Sequence, residues 1–336
     1  MSKAPVQVPC PWHQEEMARL LDQHQRQRLP HALLLAGPEG IGKYRLAQSL
    51  MQTLLCRQPS AGVACGQCEA CHLSTAGTHP DMHVLTPEGG SRAIKIDQVR
   101  RLVEFCSRTA QFGGGRLALL SPAEALNRSA QNALLKTLEE PGPGMTLILV
   151  SHQPSLLLPT VRSRCQQRLL PVPAADQALS WLTPQVGEAA PALLDAAQGA
   201  PLKALVLQDA DWFSDRRRLA EQVLRVAQGR LSPAQGAQAL AAFEPDTMAR
   251  ILYGWLARAT RLAALGGAAI PAGEGDAQLE PLLRQLADTV PVARLMRATQ
   301  RIQEGRRQIL AGANPNKELL MEQWMLVLVG VDAALQ

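Results

Sequence analysis

Residues Gly37-Pro-Glu-Gly40-Ile-Gly42-Lys43 follow the spacing G-x-x-x-x-G-K, which suits a cradle for phosphate. Glycines let backbone N–H groups close on phosphate oxygens, and the lysine adds a mobile positive charge. The next residue is Tyr44, where this pattern places a small Ser or Thr hydroxyl on Mg²⁺. A phenol oxygen lies a ring's length too far out for that task. Backbone cradling does not need the hydroxyl, so Gly37, Gly40, Gly42 and Lys43 stay candidate nucleotide contacts, and the sequence leaves open whether nucleotide is kept. The apolar run His31-Ala-Leu-Leu-Leu-Ala36 precedes the loop, and a stretch without Pro or Gly, Lys43 to Cys56, follows it. Strand, glycine loop and helix thus occur in the order such a cradle requires.

A second cluster offers metal chemistry. Cys56, Cys65, Cys68 and Cys71 give C-x8-C-x2-C-x2-C, and paired C-x2-C steps aim thiolates at one tetrahedral ion. Cysteines are also common as small buried residues, but Gly62, Gly66, Gln67 and Glu69 around them make a polar loop with little core to offer. Four soft ligands without an open position describe structural zinc, not catalytic zinc. His72 reads as a surface neighbour, and Cys10, Cys106 and Cys165 as ordinary buried or half-buried thiols.

The whole chain fits these local readings. Its 336 residues suffice for two or three domains, and 46% hydrophobic against 19% charged residues is a globular balance. Aromatics at 3% argue against stacking on single-stranded bases, and a net charge of +5 permits nucleic-acid contact without demanding it. Glu15 and Glu16 interrupt any signal-like segment, and Met325 to Val331 is too short to span a membrane. A soluble cytoplasmic protein is expected, and the clustered thiols suit a reducing compartment better than a disulfide framework.

Apolar runs at 31–36, 82–86, 116–121 and 145–151 alternate with helical stretches near 43–56, 96–110 and 123–139, the pattern of a parallel sheet covered on both faces. Asp97 is the expected N-cap of the second helix, and Ser121 with Pro122 the expected start of the third. Beyond Pro173 helical patterns dominate, at about 174–182, 202–208, 212–228, 233–242, 246–265, 277–289, 292–311 and 317–333, with a loop at 266–275. The expected plan is an α/β domain over 1–170 with the cysteine module at 56–71, a small helical domain over 171–208, and a larger helical domain over 209–336.

A phosphate loop followed by a four-cysteine insertion resembles the bacterial DNA polymerase III clamp-loader subunits of the AAA+ type. Thr78-His-Pro-Asp81, Asn132-Ala-Leu-Leu-Lys-Thr-Leu-Glu-Glu-Pro141 and Arg162-Ser-Arg-Cys165 are similar to that family too, and the likeness is strongest over about 30–170. The resemblance implies an AAA+ P-loop sheet domain with a zinc-binding insertion, then a helical lid and an all-α collar. It also implies a role in DNA replication as an accessory subunit of a DNA-directed DNA polymerase, a nucleotidyltransferase only as the holoenzyme. The implied partners are the delta and gamma/tau-type ATPase subunits, the sliding clamp and primer–template DNA, in a hetero-oligomeric ring.

The same family pattern implies that hydrolysis is absent here. An acidic pair should end the strand at Leu117-Ala-Leu-Leu120, but Ser121-Pro122 stands there, with Glu124 two residues late. Ser151 takes the sensor 1 place, while the sensor 2 arginine of G-x-x-R-x-A-L is replaced by Leu202 in Gly199-Ala-Pro-Leu-Lys-Ala-Leu205. Ser163-Arg164-Cys165 is intact, and the resemblance makes Arg164 an arginine finger offered to a neighbouring subunit's ATP. By itself this short basic run would read as a solvated face. Two other readings are a working AAA+ ATPase and a zinc-module DNA-binding protein. The apolar run Leu319 to Val329 is expected at an oligomer interface, or else in this chain's own core.

Overall fold

The computed structural model describes residues 5–331 except 90, 92, 114, 266–275 and 311–312, so the expected loop at 266–275 lies outside the described residues. The chain forms two compact units, Met1–Gln177 and Ala178–Gln336.

The first unit is built on β1 (Ala32–Ala36), β2 (Met82–Leu85), β3 (Arg116–Leu120), β4 (Met145–Ser151) and β5 (Gln166–Leu169). They form one parallel sheet in the order β2-β3-β4-β1-β5. Every residue of β1, β3 and β4 is buried, which is why these strands read as unbroken apolar runs. β1 lies between β4 and β5, and Ala36 at its end is level with Ser151 and Leu169. The chain leaving β1 therefore enters the crevice at a switch in strand order, where α/β sheets place ligands.

α1 (Gln14–Gln25) precedes β1, and between the strands run α2 (Lys43–Leu55), α3 (Glu69–Thr75), α4 (Ile96–Ser107), α5 (Arg128–Glu139) and α6 (Pro159–Ser163). α4 and α5 contribute Val99, Leu102, Leu134 and Leu138 to the same core as Leu34, Leu120 and Leu149. Two expected helix starts are corrected. α4 begins one residue before Asp97, which sits in its first turn and pairs with Arg100, while Lys95 is the N-cap and its N–H donates to Gln98 Oε1 at 2.9 Å. Ser121 caps no helix: after a cis Ser121–Pro122 bond the chain makes only a 3₁₀ turn, Ala123–Ala125. α5 starts at Arg128 instead, because Asn127 Oδ1 accepts from Ala130 N at 2.8 Å.

In Thr78-His-Pro-Asp81, His79 and Asp81 are buried and Asp81 forms a clamp. Asp81 has no exposed surface and accepts from Gln111 N at 2.8 Å and Phe112 N at 2.7 Å, with Arg116 Nε 3.9 Å away. Arg116 in turn donates to Pro80 O at 3.0 Å and lies 4.0 Å over the Phe105 ring. Asp81→Ala strands two backbone donors and a buried guanidinium, so it should cost about 3–5 kcal/mol. Urea unfolding of this variant checks the figure, and a loss below about 1 kcal/mol would contradict the clamp.

The second unit is helical: α7 (Ala175–Val186) passes into it, followed by α8 (Ala190–Ala196), α9 (Pro201–Gln208), α10 (Asp211–Ala227), α11 (Pro233–Ala241), α12 (Pro245–Ala264), α13 (Glu280–Thr289), α14 (Val292–Leu310) and α15 (Lys317–Val329). One apolar cluster runs through it from Ala178 to Leu328. The apolar residues of α15 are buried inside the chain: Leu320, Met321, Trp324, Met325, Val327 and Leu328 pack among α10, α11 and α14. Of the two places expected for this run it takes its own core, and Leu319 alone of its large apolar side chains is well exposed.

Candidate functional site

The phosphate loop is shaped by its glycines. Gly40 (φ 80°) and Gly42 (φ 94°) are left-handed, and Gly42 is the N-cap of α2. At Gly37 a Cβ would lie 2.1 Å from Leu170 O, so only glycine fits where the loop leaves β1 between the ends of β4 and β5. From outside, Trp12 Nε1 donates to Ile41 O at 2.7 Å, and Arg45 Nε donates to Val8 O at 2.6 Å, binding the N-terminal segment to the loop and its helix.

Lys43 turns back onto its own loop. Its Nζ donates to Gly37 O at 2.7 Å and to Pro38 O, and the residue is 2% exposed. Burial pushes its pKa down to about 8, opposed by the carboxylates of Glu124 and Glu39. Tyr44 Oη accepts from Gln48 Nε2 at 3.0 Å, one turn further along α2. Its phenol is thus occupied along the helix. The lysine is thus engaged by loop carbonyls, and a ring stands where a Mg²⁺-binding hydroxyl would be.

Glu124 is the residue that sequence spacing undervalued. The short turn after β3 brings its Oε1 to accept from His152 N at 2.8 Å, just past the end of β4, and within electrostatic reach of Lys43. An acidic residue closely following a strand was the available signal; the turn that folds it back was not visible. Ser151 is fully buried there, and its hydroxyl has no partner among the described atoms. His13 is 2% exposed, and burial, reinforced by Lys43, holds its pKa down at about 4.

A histidine with pKa near 4 folded and near 6.5 unfolded binds fewer protons in the native state between those values. Stability is unaffected above pH 6.5, falls as pH drops through this window, and the penalty is complete below about 4. At pH 5 His13 should cost about 2 kcal/mol relative to pH 7.5. His13→Gln should narrow the gap between urea midpoints at the two pH values by that amount; an unchanged gap would contradict the buried neutral ring.

The four predicted cysteines converge. Cys56 and Cys68 Sγ are 3.9 Å apart, Cys65 and Cys71 Sγ also 3.9 Å, and all four sulfurs lie within 4.8 Å of one another. Ligands 2.3 Å from a tetrahedral centre are about 3.8 Å apart, so this set fits one metal ion. Backbone N–H groups of Gln67 and Cys68 favour the Cys65 thiolate and lower its pKa to about 6. Gly62 (φ 77°) and Gly66 (φ 71°) turn the loop, and α3 supplies Cys71.

At the far end of the motif set, Arg164 ends α6. Its Nε donates to Glu139 Oε1 at 2.7 Å and its Nη1 to Thr160 O at 2.9 Å, with the side chain 34% exposed. Ser163 Oγ donates to Thr160 O at 3.2 Å, which stitches the short helix, and Cys165 is buried, its thiol pushed up to about 12 by desolvation. Within the trio, Ser163 and Arg164 reach the surface and the arginine carries the charge, while Cys165 is buried. Leu202 and Lys203 sit together on α9, in the second unit.

Comparisons with known proteins place this arrangement in a family. A family profile described as "DNA polymerase III, delta subunit" matches residues 12–173, and "DNA polymerase III, delta subunit, C terminal" matches residues 210–329. The chain is 39% identical to the DNA polymerase III subunit delta' of Pseudomonas aeruginosa over 94% of its own length and 96% of that protein. It is 34% identical to the Yersinia pestis subunit over 94% of each. With the Escherichia coli subunit it shares 37% identity over 63% of this chain and 64% of that one. The chain belongs to the delta-prime subunit family of DNA polymerase III.

Proposed function

We propose that this chain is the non-hydrolysing delta-prime subunit of a clamp-loader ring in bacterial DNA replication, and that it presents Arg164 to the ATP of a neighbouring subunit. The observation that carries this reading is a contrast: Lys43 is spent on its own loop, whereas Arg164 ends a helix at the surface. A planar guanidinium there can meet two phosphate oxygens and stabilise the charge that develops as the phosphoryl group is transferred. The neighbours would be the gamma/tau-type ATPase and delta subunits, acting with the sliding clamp and primer–template DNA in the cytoplasm. The four cysteines would hold structural zinc, for which four thiolates and a tetrahedral spacing are the usual setting.

Two measurements separate this from its rivals. The isolated chain should show no ATP turnover above background, and Lys43→Ala should change nothing; turnover abolished by that substitution would make the chain a working ATPase. Zinc removal should leave DNA binding by the isolated chain as weak as before; tight, salt-sensitive binding lost with zinc would favour a zinc-dependent DNA reader.

A further inference from the structure

Arg164 is held by a partner that its neighbouring motif could not single out. Glu139 and Glu140 are the middle residues of the Leu138-Glu-Glu-Pro141 phrase, and the carboxylate that meets Arg164 is Glu139. One oxygen, Oε1, accepts the Nε–H at 2.7 Å and lies 2.5 Å from Nη2, while Nη1 donates to Thr160 O at 2.9 Å. An arginine has five N–H donors, so one on each terminal nitrogen is left uncommitted. The carboxylate thus grips the Nε edge of the plane.

The grip is part of a larger register. At the start of α6, Leu158 N donates to Gln131 Oε1 of α5 at 2.7 Å, and Gln131 is buried and itself anchored on Leu126 O at 3.1 Å. At the end of α6, Arg164 meets Glu139, the last residue of the same helix. α5 therefore fixes the short helix at both ends. Stability gives little reason for the second contact: with side chains 34% and 49% exposed it is a weakly stabilising surface pair. A carboxylate at a helix C-terminus is also opposed by the helix dipole unless a cation answers it.

We propose that Glu139 is the positioning residue of Arg164, fixing the guanidinium plane so that its remaining donors face a phosphate presented by the adjacent subunit. This rests on the trans role proposed for Arg164. Glu139 touches no nucleotide; it removes rotamer freedom that the arginine would otherwise lose on reaching the transition state.

The test uses the complete reconstituted complex, with kcat and KM for ATP measured at the site beside this chain. Glu139→Ala should lower kcat about tenfold and leave KM unchanged, because the lost order is felt mainly in the transition state. Glu139→Gln, which keeps an acceptor at the same reach, should recover most of the loss, and Glu140→Ala should match wild type. Combined with Arg164→Ala, Glu139→Ala should cost nothing more, since a positioning residue has no work without the group it positions. An unchanged or raised kcat in Glu139→Ala, or a double variant slower than Arg164→Ala by the full single effect, would overturn the proposal while leaving the role of Arg164 standing. Undiminished turnover with Arg164→Ala would remove that role, and the positioning proposal with it.

Discussion

Arg164→Ala should assemble normally into the complex and slow ATP hydrolysis at the adjacent site by about a thousandfold, the lower end of what arginine fingers contribute in other nucleotide hydrolases. Assembly should survive because the side chain is partly exposed and its loss frees only Glu139, itself near solvent, and one carbonyl. Backbone contacts that shape the turn, Arg164 N to Val161 O at 3.2 Å and Cys165 N to Arg162 O at 3.3 Å, do not involve the guanidinium. Arg164→Lys should restore little of the rate, since an ammonium cannot make the two parallel bonds of a planar fork. Single-turnover phosphate release separates chemistry from product release, the adjacent site showing as the part of the burst that the variant loses, and an unchanged burst would end the assignment.

Cys65→Ser should cost the protein its metal. Zinc-finger peptides draw about 10–16 kcal/mol of apparent binding energy from such sites, and a serine hydroxyl is not ionised at neutral pH to replace a thiolate. The four side chains form a small apolar patch of their own with Val6 and Ala64, so little else holds this module once the ion is gone. Bound zinc should fall to less than about a tenth of an equivalent, with new protease cleavage confined to residues 56–75 and no change in the rate conferred by Arg164. Retention of one full equivalent would contradict the four-thiolate site.

What the sequence disclosed, and what it hid, follows from where the determinants lie. The β1, β3 and β4 strands were legible because both their faces are buried, so each is a plain apolar run. The phosphate loop and the cysteines were legible because their chemistry depends on spacing along the chain. β5 was not: it is the edge of the sheet, Gln166-Gln-Arg-Leu169 is mostly exposed, and its pairing with β1 is a tertiary fact. α1 was hidden by a narrow buried stripe of Glu16, Met17 and Leu20 among polar residues, and α3 and α8 by their brevity. At the site, Glu124 and Glu139 act through turns and helix ends that bring them to partners 28 and 25 residues away. No local pattern encodes such pairs.

Phosphate release during single turnovers of the complete complex, compared for Lys43→Ala and Arg164→Ala forms of this one chain, tests the account most directly. If the proposed reading holds, the chain carrying Lys43→Ala should support the full wild-type rate, and the chain carrying Arg164→Ala should lose the burst from the adjacent site. The reverse result, a burst lost with Lys43→Ala and kept with Arg164→Ala, would contradict it.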